Sequence, residues 1–415
     1  MSSIQEVQDV RLLPTAVVEK ADRNHALASP LLIPVYAVAG QANYGFGRAA
    51  AVKDLEFVIG SQNSAWIPAD SYLEFDVKLA VGTTGTISSG NSFFQRTRLR
   101  TQAGVVLHDL ESSNLWAKVE DTHLSGAENQ AVRWPENQCL QTATASCLQV
   151  TATAFKVILP LREAIFRQNQ AFHLPVTGQL RYSLMMEVDL NALGECAADA
   201  LYSIDNPILH CAMIPMESSY IEKIRQVAEA GGLLYHHTAL LHNATPTVAA
   251  NNTVNIQYAM KSVDALIAVP RLPAQLLSAS SDSFKSQSPL GGLVSIQTQI
   301  GSEFFPSSAI DSVEQAYVEC EKTFRSYDDL DHSSMITRAN WSQSVNTGAN
   351  QFQSSTFTVG IPIASNGAFT GMSTVNGPLA VRYNVGTASV LQLDTFCAYD
   401  FIAVIRSETQ AFIDY

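Results

Sequence analysis

The chain has 415 residues, a formal net charge of −13, 47% hydrophobic residues and only 15% charged ones. That length exceeds one ordinary core and suits two domains of about 200 residues each. The acidic balance, without any Lys/Arg run, argues against a protein that neutralises phosphates with clustered cations, so direct binding of nucleic acid or of a polyanionic membrane surface is not expected.

Residues 1–50 read as an N-terminal arm. Ser3 and Glu6 form a capping-box pattern, Ile4, Val7 and Val10 recur at a helical step, and Pro14 ends the helix. "ASPLLIPVYAVAG" and "QANYGFGRAAA" follow, rich in Pro, Gly and small residues. Such a segment either lies on its own body or reaches a neighbouring subunit. Beyond residue 50 the dominant signal is period two. "YLEFDVKLA" (72–80) sets Leu73, Phe75, Val77 and Leu79 against Glu74, Asp76 and Lys78, and "LRYSLMMEVDL" (180–190) alternates in the same way. "VNIQYAM", "LVSIQTQI" and "FCAYDFIAVI" are further strands, punctuated by the turns "VGTTGTISSGN", "PVTGQ" and "VNGP". Helices are few and short: 111–121, then 217–232 with a Ser219/Glu222 box and Gly231 as a stop, then 311–325 with a Ser312/Gln315 box. The last places Val313, Tyr317, Cys320 and Phe324 on one face. This pattern predicts β-sandwiches and not a parallel α/β sheet. No apolar run approaches the roughly 20 residues that span a bilayer.

The chain reads as built twice. "RTRLRTQAGVVLHDLESSNLWAKVED" and "SIQTQIGSEFFPSSAIDSVEQAYVEC" both run strand, Gly turn, strand, helix, with Gly104 answering Gly301. "FKVILPL" answers "FTVGIPI", matching Phe155, Val157 and Pro160 to Phe357, Val359 and Pro362. "VTGQL" answers "VNGPL", matching Gly178 to Gly377. Proline lacks a ladder donor and suits a strand end or edge. Gly178 and Gly377 suit a turn needing positive φ. The expected division is 1–50 arm, 51–216 first sandwich and 217–415 second sandwich. Long connections at 80–91, 122–150, 270–290 and 326–355 are surface-forming or functional.

Catalytic and metal signals are weak. His236 and His237 are neighbours on a strand and point to opposite faces, with His242 further along, so they make a poor chelate. Asp328, Asp329, Asp331 and His332 could meet a hard cation but lack the EF-hand glycine and terminal Glu. No G-x-S-x-G, H-E-x-x-H or Walker sequence occurs. Trp66, Trp116, Trp134 and Trp341 are well separated and read as packing residues. The six cysteines (Cys139, Cys147, Cys196, Cys211, Cys320, Cys397) are even in number, which leaves a disulfide set open, but show no C-x-x-C and read as reduced, mostly buried thiols. The N-x-[ST] matches at Asn243, Asn251 and Asn340 read as chance in a Ser/Thr-rich chain. No catalytic residue, metal or cofactor is assigned.

Over roughly residues 50–415 the chain resembles the double jelly-roll major capsid proteins of double-stranded DNA viruses, nearest to those of polinton-like viruses, virophages and their giant-virus relatives. The resemblance is carried by "VILPLREAIFRQNQAFHLPVTGQLRYSLMMEVDL", "GGLLYHHTALL", "VNIQYAMKSVDALIAVPR" and, more loosely, "FTVGIPIASNGAFTGMSTVNGPL". It implies an all-β fold of two consecutive eight-stranded jelly rolls with a few interposed helices, a homotrimeric capsomer and a location in the virion, assembled inside the host cell. Implied partners are neighbouring capsomers, penton and minor capsid proteins, with an internal membrane or minor-protein layer beneath the shell left open. Three chains with two like domains present six like domains around one axis, a near-hexagonal tile. Two other readings stand beside it: a carbohydrate-active β-sandwich enzyme, which needs two convergent carboxylates, and a receptor-binding or vertex protein, which usually carries one jelly roll.

Overall fold

The computed structural model describes residues 30–38, 54–80, 85–87, 89–123, 148–150, 155–167, 170–193, 196, 201–246, 250–256, 258–278, 293–327, 357–363, 371–375, 377–385 and 391–414. The first module contains β1 (Leu31–Tyr36), β2 (Asp54–Ile59), β3 (Ser64–Leu79), β4 (Gly85–Ile87), β5 (Phe94–Thr101) and β6 (Val106–Glu111). It continues through α1 (Ser113–His123), β7 (Leu148–Val150), β8 (Phe155–Pro160), α2 (Ala164–Arg167), β9 (Phe172–His173), α3 (Leu174–Thr177), β10 (Leu180–Met186), α4 (Asp189–Ala192) and β11 (Tyr202–Pro215). Helix α5 (Ser218–Gly231) leads to the second module: β12 (Leu233–Pro246), β13 (Ala250–Ile256), β14 (Val263–Arg271), β15 (Leu293–Ile300), β16 (Glu303–Ile310), α6 (Val313–Tyr327), β17 (Val359–Pro362), β18 (Leu379–Val385), β19 (Gln392–Ser407) and β20 (Gln410–Asp414).

Each module stacks two antiparallel sheets. In the first they run β1-β11-β3-β8 and β2-β10-β5-β6; in the second, β12-β19-β14-β17 and β13-β18-β15-β16. Counting the eight sandwich strands of each module in chain order, both read 1-8-3-6 facing 2-7-4-5, so both are jelly rolls. Both also insert their long helix, α1 or α6, between the fifth and sixth strands. The added strands are peripheral: β9 pairs with β3, β20 with β19, and β4 with β7.

Alternation sets the layers. Leu73, Phe75, Val77 and Leu79 of β3 are buried while Glu74, Asp76 and Lys78 turn outward, and Leu180, Tyr182, Leu184 and Met186 of β10 complete the facing layer. β10 ends at Met186, so Val188 is exposed and Leu190 belongs to α4. Trp66 anchors this core between Phe166 and Phe172, its ring centroid 5.4 and 5.6 Å from theirs, and its indole N–H donates to Ser71 Oγ at 2.9 Å.

Several local expectations change. Leu31–Tyr36, read as part of the arm, pairs residue for residue with β11 and is an edge strand of the first sheet. An edge strand leaves one side without a ladder, which is why it tolerates Pro34. The expected helix after Ser3 lies outside the described residues. "VNIQYAM" keeps its strand only to Ile256. Helix α5 begins after Glu217 without a side-chain cap, so the Ser219/Glu222 box does not form, and its left-handed stop is Gly232 (φ 89°), one residue beyond Gly231. Helix α6 does use Ser312, whose Oγ accepts from the Gln315 N–H at 3.2 Å. Its face buries Ala316, Cys320 and Phe324, with Val313 and Tyr317 partly covered. Among the described residues no helix is long and apolar enough to cross a membrane.

Candidate functional site: the seam between the modules

Phe155 and Val157 begin β8, and Phe357 and Val359 lead into β17; Val157, Phe357 and Val359 are buried and Phe155 packs at the edge of the first core. Pro160 and Pro362 are the last residues of edge strands, facing Tyr72 and Ala265. Gly104 (φ 90°) and Gly301 (φ 60°) turn β5 into β6 and β15 into β16. Gly178 has φ 71°. Gly377 departs from the positive-φ expectation: it is glycine because a Cβ there would stand 2.7 Å from Gly301 Cα and 2.9 Å from its N. Two turns touch backbone to backbone, and that contact excludes any side chain.

The modules then interlock through side chains that no local sequence pattern assigns. Helix α1 belongs in sequence to the first module, yet Leu115, Trp116 and Val119 join the core of the second. The Trp116 ring lies 5.3 Å from that of Phe396. At the end of α1, His123 stacks on Phe324 at 4.1 Å, and its Nε2 lies 2.5 Å from Thr358 Oγ1. In return, Tyr235 and Ala239 of β12 and Phe401, Ala403 and Ile405 of β19 pack into the first core, with Tyr235 stacked on Phe172 at 4.6 Å. Strand β6 runs against β12. Burying this much apolar surface across the seam makes the two jelly rolls one body.

The seam is also polar in places. A cavity of about 60 Å³ is bordered by Thr97, His108, Glu163, Tyr182, Thr238 and Leu240. His108 Nε2 lies 3.0 Å from Thr97 Oγ1, and burial lowers the His108 pKa to about 4. Burial also lowers His173 to about 4 and His123 to about 3. Burial raises the pKa of Glu163, which accepts a hydrogen bond from Tyr182. His237 is buried and pushed well below the usual imidazole value, first by desolvation and then by His108 and His236.

At another part of the seam a polar cleft of about 480 Å³ lies between Glu111, Asn114 and Glu187 on one side and His242, Arg271 and Asp394 on the other. Asp394 is fully buried, and its carboxylate accepts from Arg271 Nε at 2.7 Å and lies 2.9 Å from His242 Nε2. Burial alone would raise the Asp394 carboxyl; the His242 hydrogen bond and the Arg271 charge hold it below its usual value. Glu187 accepts from Asn114 at 2.8 Å, Asn191 at 3.2 Å and the Val188 N–H at 2.8 Å. Asp394 and Glu187 are thus held by protein partners, and their part of the cleft reads as structural.

The remaining sequence candidates do not converge. His236 pairs with Asp400 at 3.2 Å on the face opposite His237, and His242 belongs to the buried trio. Asp328, Asp329, Asp331, His332, Trp134 and Trp341 lie outside the described residues. Among the described residues no group of three or more His, Cys, Asp or Glu is placed to hold a metal ion. Cys196, Cys211, Cys320 and Cys397 are free thiols.

No family model and no curated protein matches the sequence. Solved structures do match the fold. A crystal structure of PBCV-1 VP54, one that was fitted into a cryo-EM reconstruction of the virophage Sputnik, superposes with a TM-score of 0.64 at 10% identity, covering 95% of this chain and 98% of that one. The Faustovirus major capsid protein gives 0.62 at 9% identity, over 93% of this chain and 92% of that one. The mavirus major capsid protein gives 0.55 at 10% identity, over 97% and 94%. Similarity at these identities speaks to architecture, and together with the strand order it makes the fold of this chain a double jelly roll.

Proposed function

We propose that this chain is a major capsid protein, the structural subunit of trimeric, pseudo-hexagonal capsomers in an icosahedral viral shell. One observation carries the reading: two jelly rolls of identical strand order stand side by side in one chain and share a buried seam. A threefold ring of such chains has six like lobes, a shape that tiles a closed surface. The Faustovirus and mavirus proteins that share the fold are major capsid proteins, which supports the same role here. The role is structural and not catalytic, and its place is the virion, with neighbouring capsomers, penton and minor capsid proteins as partners. The net charge of −13 supports a shell that does not condense a genome electrostatically. Residues 51–216, joined by β1 from the expected arm, and residues 217–415 supply the two lobes, and the repeat positions serve to keep them alike. The duplicated body counts against a vertex protein, and the hold on Asp394 and Glu187 in the cleft counts against a carbohydrate-active enzyme.

The test is the purified full chain in solution. Light scattering should give three times the chain mass of 45.0 kDa, and negative-stain images should show hexagonal outlines. A monomer with glycosidase activity would contradict the proposal.

A further inference from the structure

The following rests on the capsomer reading. A ring of six modules made from two-module chains has two kinds of seam, one inside each chain and one between chains. Near-sixfold packing requires both to use corresponding surfaces. The inner seam is visible in a single chain, and strand pairing assigns each of its residues a counterpart.

Take first the strand that is covered. Pro160 faces Tyr72 and Pro362 faces Ala265, so Leu73 corresponds to Leu266 one position on. Leu73 pairs with Leu209, and Leu266 with Cys397; these in turn face Val35 and Leu241. Continuing along β1 and β12, Leu31, Leu32, Ile33 and Pro34 are the counterparts of His237, Thr238, Ala239 and Leu240. In β12 the seam leaves His237 3%, Ala239 7% and Leu240 6% exposed. In β1 the corresponding Leu31, Leu32 and Ile33 are 51%, 52% and 43% exposed.

Now take the surface that covers. Leu180 and Leu379 open β10 and β18 and face Thr101 and Ile300, so Leu99 corresponds to Thr298. Across the next ladder these face His108 and Phe305, making β16 the counterpart of β6. In β6 Leu107 and His108 are buried; in β16 Phe304 is exposed and Phe305 only partly covered. Helix α6 is the counterpart of α1: the Trp116 and Ala316 N–H groups donate to the Ser112 and Ser312 carbonyls, so Gln315, Ala316 and Glu319 stand where α1 has Leu115, Trp116 and Val119.

We propose that β1 of one copy docks against β16 and α6 of the next copy, so that Leu31 takes, beside Phe305, the place His237 takes near His108 within the chain. The occupant of each exposed surface is the other one, on a second copy. Single-copy exposure of a run such as Leu31-Leu32-Ile33 is otherwise an aggregation hazard on an open sheet edge. The contact joins two different surfaces head to tail, so it propagates around a ring and closes at three chains.

The experiment uses the full chain with Leu31→Cys and Phe305→Cys introduced together and mildly oxidised. Chain-to-chain disulfides should appear as dimer and trimer bands on a non-reducing gel, and neither single variant should give them. Separately, Leu32→Asp with Ile33→Asp, at positions exposed in the lone chain, should cut the solution mass threefold while the circular dichroism spectrum stays unchanged. A trimeric protein that tolerates the aspartates and leaves the cysteine pair unlinked overturns this seam and leaves the capsomer reading standing. A cysteine link confined to one chain overturns it as well, because β1 is then covered by its own chain. Wild-type protein that stays monomeric overturns the capsomer reading and the seam together.

Discussion

His237→Leu isolates one energetic feature of the seam. His237 is buried, and among the described residues both ring nitrogens lack a hydrogen-bond partner. An unsatisfied buried polar group costs about 1–3 kcal/mol. Leucine is close in size, and the counterpart position in the first module is already Leu31. A second cost depends on pH. Burial, then His108 and His236, lower the pKa of His237 in the folded chain. The unfolded chain therefore takes up the proton first, and stability is intact above about pH 6.5 and lost as pH falls below it. At pH 5 a wholly neutral His237 costs about 2 kcal/mol relative to pH 7.5. The substitution should thus stabilise by about 1–3 kcal/mol at pH 7.5 and by about 2 kcal/mol more at pH 5. For a single transition of the whole 415-residue chain, each kcal/mol moves the melting temperature by about 1 °C. Differential scanning calorimetry of wild type and variant at the two pH values reads both quantities. A lowered melting temperature, or a gain that is the same at pH 7.5 and pH 5, would refute the reasoning.

Other perturbations report on the seam and the turns. Trp116→Ala empties a buried site that the first module's helix fills in the second module's core; it should cost about 3–5 kcal/mol and split one calorimetric transition into two, and a single unchanged peak would contradict the interlock. Arg271→Met leaves the buried Asp394 without its cation and should destabilise by about 3–5 kcal/mol in denaturant titration; a neutral outcome would mean that the trio is not coupled. Gly377→Ala forces a Cβ to 2.7 Å from Gly301 Cα and should lower the melting temperature well beyond Gly104→Ala, which meets no atom within 4 Å and pays only for its φ of 90°. Equal losses at the two glycines would argue against the backbone contact.

The sequence made the fold legible because both signals that carry it are local. Alternation in "YLEFDVKLA" and "LRYSLMMEVDL" follows from the pleat, and Pro160 and Pro362 mark strand ends because proline cannot donate to a ladder. The matched order of Gly104/Gly301, Phe155/Phe357 and Gly178/Gly377 tracks strand pairing in both modules. What stayed hidden is long-range. Trp116 looks like any apolar residue on a short amphipathic helix, and nothing nearby says that its face is taken by the other module. His242, Arg271 and Asp394 are far apart in the chain; the available hint was Asp394 standing alone among the mostly apolar residues of "LQLDTFCAY". Leu31–Tyr36 reads as a lead-in because Pro34 interrupts it, and only the open edge beside β11 makes it a strand. Gly377 has the residue type of a left-handed turn but is fixed by a neighbouring backbone that the sequence does not name.

The central claim, that two equivalent jelly rolls make a six-lobed ring from three chains, is tested most directly by a cryo-electron microscopy reconstruction of the purified assembly without imposed symmetry. The account predicts six like lobes about a threefold axis, with every seam formed by a first strand against the fifth strand and helix of the adjoining lobe. Two-lobed particles, or lobes related by a twofold axis, would contradict it.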